Sequence, residues 1–155
     1  MKYWKFVTSE NMIMPRIRLL VAVLWVGSLW TIGYIVAPTL FATLEDRSLA
    51  GTIAGRLFRV EAWISLGCAV TLVLLMLRDK AAQKNLKACL VLVGAMLSCT
   101  LIGHFGLQPF MAALREGGGL ASDAVRAKFG MLHGISSAIY LIQSVLGGVL
   151  LLRMR

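Results

Sequence analysis

The stretch AWISLGCAVTLVLLML, Ala62–Leu77, carries no charged side chain, and its length decides how the chain is read. Three further charge-free runs accompany it: Leu19–Leu44, Ala88–Leu114 and Phe129–Leu152, of 26, 27 and 24 residues. Each exceeds the roughly 18 apolar residues that carry a helix across about 30 Å of hydrocarbon. Ala62–Leu77 holds only 16 residues, a rise of about 24 Å. Its helix must therefore draw in about four neighbours to fill the same thickness. Arg59 and Glu61 are expected at the outer edge of the apolar zone, not free in water. The expected fold is all-α, an integral membrane four-helix bundle.

Of 155 residues, 59% are hydrophobic, and the mean hydropathy is +0.81. Little chain remains for a soluble domain, so a tail over residues 1–16 and one membrane domain over 17–152 are expected. The spans are placed near 18–42, 57–77, 88–110 and 129–152. A net charge of +9 would suggest nucleic acid in a soluble protein. Here the bias of basic residues toward the cytoplasmic side explains it better, and no nucleic-acid partner is expected.

The N-terminal tail, the middle connection and the C-terminus hold ten basic residues against Glu10 and Asp79. The other two connections hold six (Arg47, Arg56, Arg59, Arg115, Arg126, Lys128) against five acids. Both termini are therefore expected in the cytoplasm, in a bacterial-type inner membrane. The first run is too long for a signal-peptide core and lacks an Ala-x-Ala site after it, so it reads as an uncleaved span. Met12 and Met14 offer later starts, and the first dozen residues read as an extension. Three cysteines without a Cys-x-x-Cys pair argue against disulfides.

Along the chain, Gly27, Ser28, Thr31 and Gly33 mark a packing face on the first span, which Pro38 kinks or ends. Glu45-Asp46-Arg47-Ser48 reads as a polar turn. The second helix begins beyond it, outside the hydrocarbon. Gly51–Gly55 and Gly130–Gly134 are Gly-x-x-x-Gly spacings. They offer close packing within the bundle, or a face for a second copy or another membrane protein. Gly117–Gly119 reads as a hinge, and Ser122 as the cap of a short helix containing Ala124–Lys128. No internal repeat stands out.

Inside a span a polar or ionisable residue is costly and marks a functional hypothesis. His104, Gln108 and His133 lie in the outer half by depth, with Arg56, Arg59 and Glu61 on the second helix. His104 and Gln108 share a face, as do Arg56 and Arg59. Glu61 points elsewhere and calls for a partner from another helix, with His133, Arg126 and Lys128 nearest by depth. These six residues form a candidate outward-facing polar cluster. The competing reading is plain interhelical glue, worth about half a kcal/mol per side chain. No cofactor is required by the sequence. Haem or copper is the alternative: His104 and His133 can supply two imidazoles, with Arg56 or Arg59 against propionates. Met96 and Cys99 sit deeper than these histidines. No nucleophile–base pair, phosphate-binding loop or dinucleotide fingerprint is present, so no enzymatic activity is expected.

Gly33-Tyr34-Ile35-Val36-Ala37-Pro38-Thr39-Leu40-Phe41-Ala42, Ala50-Gly51 and Gly55-Arg56-Leu57-Phe58 resemble the first half of the transmembrane protein 205-like family. Lys128-Phe129 and Leu132-His133-Gly134-Ile135-Ser136-Ser137 resemble its final span. The resemblance runs from about Leu20 to Leu151. It implies a small four-span protein, with bacterial members grouped as a domain of unknown function and a link to drug or metal tolerance. By motif, Pro38, Gly55, Arg56, Phe58 and His133 carry over, whereas His104 falls in no matched motif. The expected role is a small binding or accessory component in the bilayer, the rival a haem- or copper-binding redox or metal-tolerance protein.

Overall fold

A computed structural model describes residues 10–78, 85–116 and 122–154, with side chains from 13–78, 85–115 and 122–154. The expected glycine hinge at 117–119, most of the middle connection and the first nine residues lie outside the described residues. Among the described residues there is no strand, and four helices are long and apolar enough to cross a membrane: Ile13–Thr43, Arg47–Arg78, Leu86–Arg115 and Asp123–Arg153. In lipid a backbone N–H or C=O finds no water, which leaves the helix as the economical solution for such sequences.

The first span is built from α1 (Glu10–Trp30), a π-helical segment (Thr31–Val36) and α2 (Ala37–Thr43). Helix α1 begins inside the segment expected as a tail and accommodates Pro15. The chain then turns at Leu44, which is extended. Asp46 caps α3 (Arg47–Arg78): its Oδ1 accepts from the backbone N–H groups of Ser48 at 2.8 Å and Leu49 at 3.2 Å. That satisfies two of the donors a helix start leaves open.

The third span combines α4 (Leu86–Thr100), a second π-helical segment (Leu101–Leu107) and α5 (Gln108–Glu116). Ser122 caps the long helix α6 (Asp123–Arg153), accepting from Val125 N–H at 3.3 Å. The short helix expected near Ala124–Lys128 is thus the first turns of the fourth span, because nothing after Lys128 interrupts it.

Each span packs on its sequence neighbours, and the fourth returns to the first, closing a ring. The half nearer the termini is tightly filled. Trp25, Val26, Leu72, Met76, Val93, Met96 and Leu150 are fully buried there. Leu20, Leu74, Val91 and Leu152 point outward, as an apolar surface facing lipid requires. Cys68, Cys89 and Cys99 form no disulfide. Trp25 lies in the core, while Trp30 sits half-exposed in a groove between the first and fourth spans, with Gly148.

Candidate functional site

Beyond this packed half the bundle splays. All four spans contribute to a cavity of about 680 Å³ on the side of the first and third connections. Two prolines account for much of the opening. Pro38 and Pro109 are each the second residue of the α-helical turn that follows a π-helical segment. A proline in a helix has no N–H to give and presses on the carbonyl four residues back. Here those carbonyls belong to Tyr34 and Phe105. The wider π turn absorbs the misfit, and such turns recur at functional sites. Thr39 Oγ1 donates to the Ile35 carbonyl at 2.6 Å, one of the side-chain repairs that keep a bent helix tolerable in lipid.

Both π-helical segments face the cavity, one through Gly33 and Tyr34, the other through Gly103 and His104. Gly33 is indispensable to this wall, because a Cβ there would run into the Tyr140 ring. The Tyr140 phenol donates to the Leu29 carbonyl at 2.7 Å. Its ring meets Phe58 and Tyr34 edge-on, at 5.4 Å and 6.3 Å between centroids.

At the inner end lies Glu61, near the midpoint of α3 and only 2% exposed. Trp25 Nε1 donates to Ser65 Oγ at 2.7 Å, and Ser65 donates to Glu61 Oε1 at 3.4 Å. Ser28 Oγ is 3.2 Å from the same oxygen and 2.9 Å from the Trp25 carbonyl. Glu61 Oε2 finds no hydrogen-bond partner among the described residues. Gln143 completes the polar belt by donating from Nε2 to Thr100 Oγ1 at 2.9 Å.

Toward the connections, Arg115 Nη1 donates to the Gly51 carbonyl at 3.1 Å, and the guanidinium carbon lies 5.4 Å from the Phe129 centroid. The Gly51–Gly55 spacing makes this seat. A Cβ on Gly55 would lie 3.5 Å from Gln108 Nε2 and 3.7 Å from Arg115 Nη1. By contrast, a Cβ on Gly130 or Gly134 would meet nothing within 4 Å. One Gly-x-x-x-Gly pair therefore packs inside the bundle and the other faces outward.

Of the six residues expected in a polar cluster, Glu61, His104, Gln108 and His133 line the one cavity. Arg56 and Arg59 are exposed and lie outside its lining. Glu61 is deeper than expected, at mid-bundle, because α3 extends back to Arg47 and the charge-free run is only part of the span. Its partners are the serines Ser28 and Ser65, one of them on another helix; Arg126 instead pairs with Asp123 at 2.7 Å. Sequence reasoning passed over Arg115, Ser28 and Ser65. Ser65 was within reach, since it follows Glu61 by one helical turn.

Apolar walls with a few convergent polar groups are the usual make-up of a small-molecule pocket. Fold and site together define a four-span membrane protein with a cavity built into one half of its bundle. The chain belongs to the DUF4149 family, a domain of unknown function, whose profile matches residues 20–119. The match takes in the first three spans. No curated protein and no solved structure matches the chain.

Proposed function

We propose that this protein is an intramembrane binding protein, non-enzymatic, holding a small, largely apolar molecule between its four spans. The observation that carries the reading is the cavity itself, lined by side chains from every span and floored by a buried carboxyl group. A bundle selected only for stability would close at both ends, since packing contacts drive helix association in lipid.

Gly103 offers a clean test, because a Cβ there meets nothing within 4 Å. Gly103→Phe, on a residue of the cavity wall, is expected to reduce the cavity, with an unchanged unfolding midpoint as the control for an intact bundle. Protein purified from native membranes should carry co-purified small molecules, identified by mass spectrometry, that the phenylalanine variant lacks. Identical extracts from the two proteins would refute the reading.

A second reading follows from the two imidazoles. His104 and His133 line the same cavity, from the third and fourth spans, and two histidines are a known axial pair for haem. Copper has less support, since no three His, Cys, Asp or Glu gather among the described residues. A Soret band in purified protein, shifted by dithionite and lost in His133→Ala, would favour haem; a featureless spectrum would remove it.

We further place the protein in a bacterial-type inner membrane with both termini in the cytoplasm, on the strength of the basic tail, middle connection and C-terminus. The likeness of Gly33–Ala42 and Gly55–Phe58 to the transmembrane protein 205-like family belongs to the same reading. In a cysteine-free background, Ser122→Cys should react with an impermeant maleimide on intact cells and Asn85→Cys only after lysis. The opposite pattern would invert the topology.

A further inference from the structure

Among the described residues the least satisfied ionisable group is the carboxyl of Glu61. Of the acidic side chains described, it alone is buried. Its Oε1 is approached by two hydroxyls at 3.2 Å and 3.4 Å. Hydroxyl donors to a carboxylate normally sit at about 2.5–2.7 Å. Ser28 has one hydroxyl proton, and its Oγ lies 2.9 Å from the Trp25 carbonyl oxygen, which competes for it. Oε2 has no partner at all among the described residues.

No described cation makes good the deficit. Arg115 is committed to the Gly51 carbonyl and the Phe129 ring, and Gly51 precedes Glu61 by a helical rise of about 15 Å. Arg126 is paired with Asp123. His104 and His133 line the same cavity, and neither meets Glu61 Oε2, which has no hydrogen-bond partner among the described residues. A carboxylate held in a bilayer interior without a counter-charge is strongly disfavoured, so Glu61 either takes up a proton or calls for a cation that the described residues do not supply.

We infer that the cavity takes a lipophilic amine, an alkyl chain bearing a single ammonium group, with the ammonium on Glu61 Oε2. The inference rests on the cavity being a binding site. An ammonium supplies the missing charge and three N–H donors. Its chain would lie along Leu29, Phe58, Ala62 and Met111, all on the cavity wall. A calcium or magnesium ion would need six or more oxygen ligands, and no three His, Cys, Asp or Glu gather among the described residues to hold a transition metal. A fatty acid would set like charges together at the inner end.

The experiment compares photoreactive analogues of dodecylamine, dodecanol and dodecanoic acid on protein in phosphatidylcholine nanodiscs, with labelled residues located by mass spectrometry. The amine should label cavity residues roughly tenfold more than the alcohol, a difference within the range of one charge-assisted contact. Glu61→Gln keeps the shape and should bring amine and alcohol level. Equal labelling by amine and alcohol in the unaltered protein would overturn the amine assignment and leave the binding cavity standing. No cavity labelling by any of the three would overturn both. An amine preference that survives Glu61→Gln would overturn the role of the carboxyl. Should the glutamine variant fail to fold, the head-group ranking in the unaltered protein decides alone.

Discussion

Replacing Trp25 with alanine is expected to cost the bundle about 3 kcal/mol, the lower end of the range for removing a buried tryptophan. The low end applies because separated helices remain in lipid, so little transfer free energy is lost and the empty space dominates. Trp25 is fully buried in a core to which all four spans contribute, and its Nε1 donates to Ser65. Ser65 in turn is one of two donors serving Glu61. Trp25→Phe should cost about 1 kcal/mol, the worth of one hydrogen bond. Unfolding of the two variants in rising mole fractions of sodium dodecyl sulfate would measure both. A loss below about 0.5 kcal/mol for alanine would mean that the packed half does not hold the bundle together. The phenylalanine variant has a second use: it frees Ser65 while sparing the core, so any change in ligand capture reports on the Glu61 network and not on folding.

The four spans were legible because charge-free length is a one-dimensional signal that needs no knowledge of neighbours. Facing is harder. Arg56, Arg59 and Glu61 lie within six residues, and counting from the nearest charge assigned Arg59 and Glu61 alike to the outer edge of the apolar zone. The better signal was the helical stripe Ala50, Ala54, Ala62, Ser65, Ala69, Leu72 and Met76, every member of which is buried. Glu61 falls on that stripe, four residues before Ser65, and the two arginines fall off it. A carboxyl on a stripe of small apolar residues belongs inside the bundle, and its depth follows from the full helix, not from where the charges stop.

Other features needed tertiary knowledge. Arg115 reads as an ordinary flanking charge until the fold sets its guanidinium in contact range of Gly51 and Gly55. The π-helical segments had a faint trace in sequence: Ile32-Gly33-Tyr34 and Ile102-Gly103-His104 are followed, four and five residues later, by Pro38 and Pro109. The likeness is too short to qualify as a repeat, yet the same physical device opens the first and third spans. Proline deprives a turn of one bond, glycine admits a neighbour, and the loosened turn turns a wall into a pocket.

A buried glycine and an outward one, Gly147 and Gly134, should also separate under one and the same substitution. A Cβ on Gly147 would lie 2.9 Å and 3.2 Å from the two Val26 methyls and 3.3 Å from Met96 Cε. Methionine can yield, but a valine fixed at χ1 in a helix cannot swing aside. The first and fourth spans must then part along the tightest line in the bundle. Overpacking of this kind costs about 1–3 kcal/mol, less the gain of up to ~1 kcal/mol from exchanging glycine for alanine in a helix. Gly147→Ala should therefore lose about 1–2 kcal/mol. Gly134→Ala gains the same helical preference and meets no atom within 4 Å, so it should leave stability level or raised. Both follow from the detergent unfolding assay used for Trp25. An unchanged Gly147→Ala would show that the spans have slack where the structure allows none. If Gly134→Ala instead weakened the protein, and did so only at concentrations where it self-associates, the outward glycine face would be covered by a second copy.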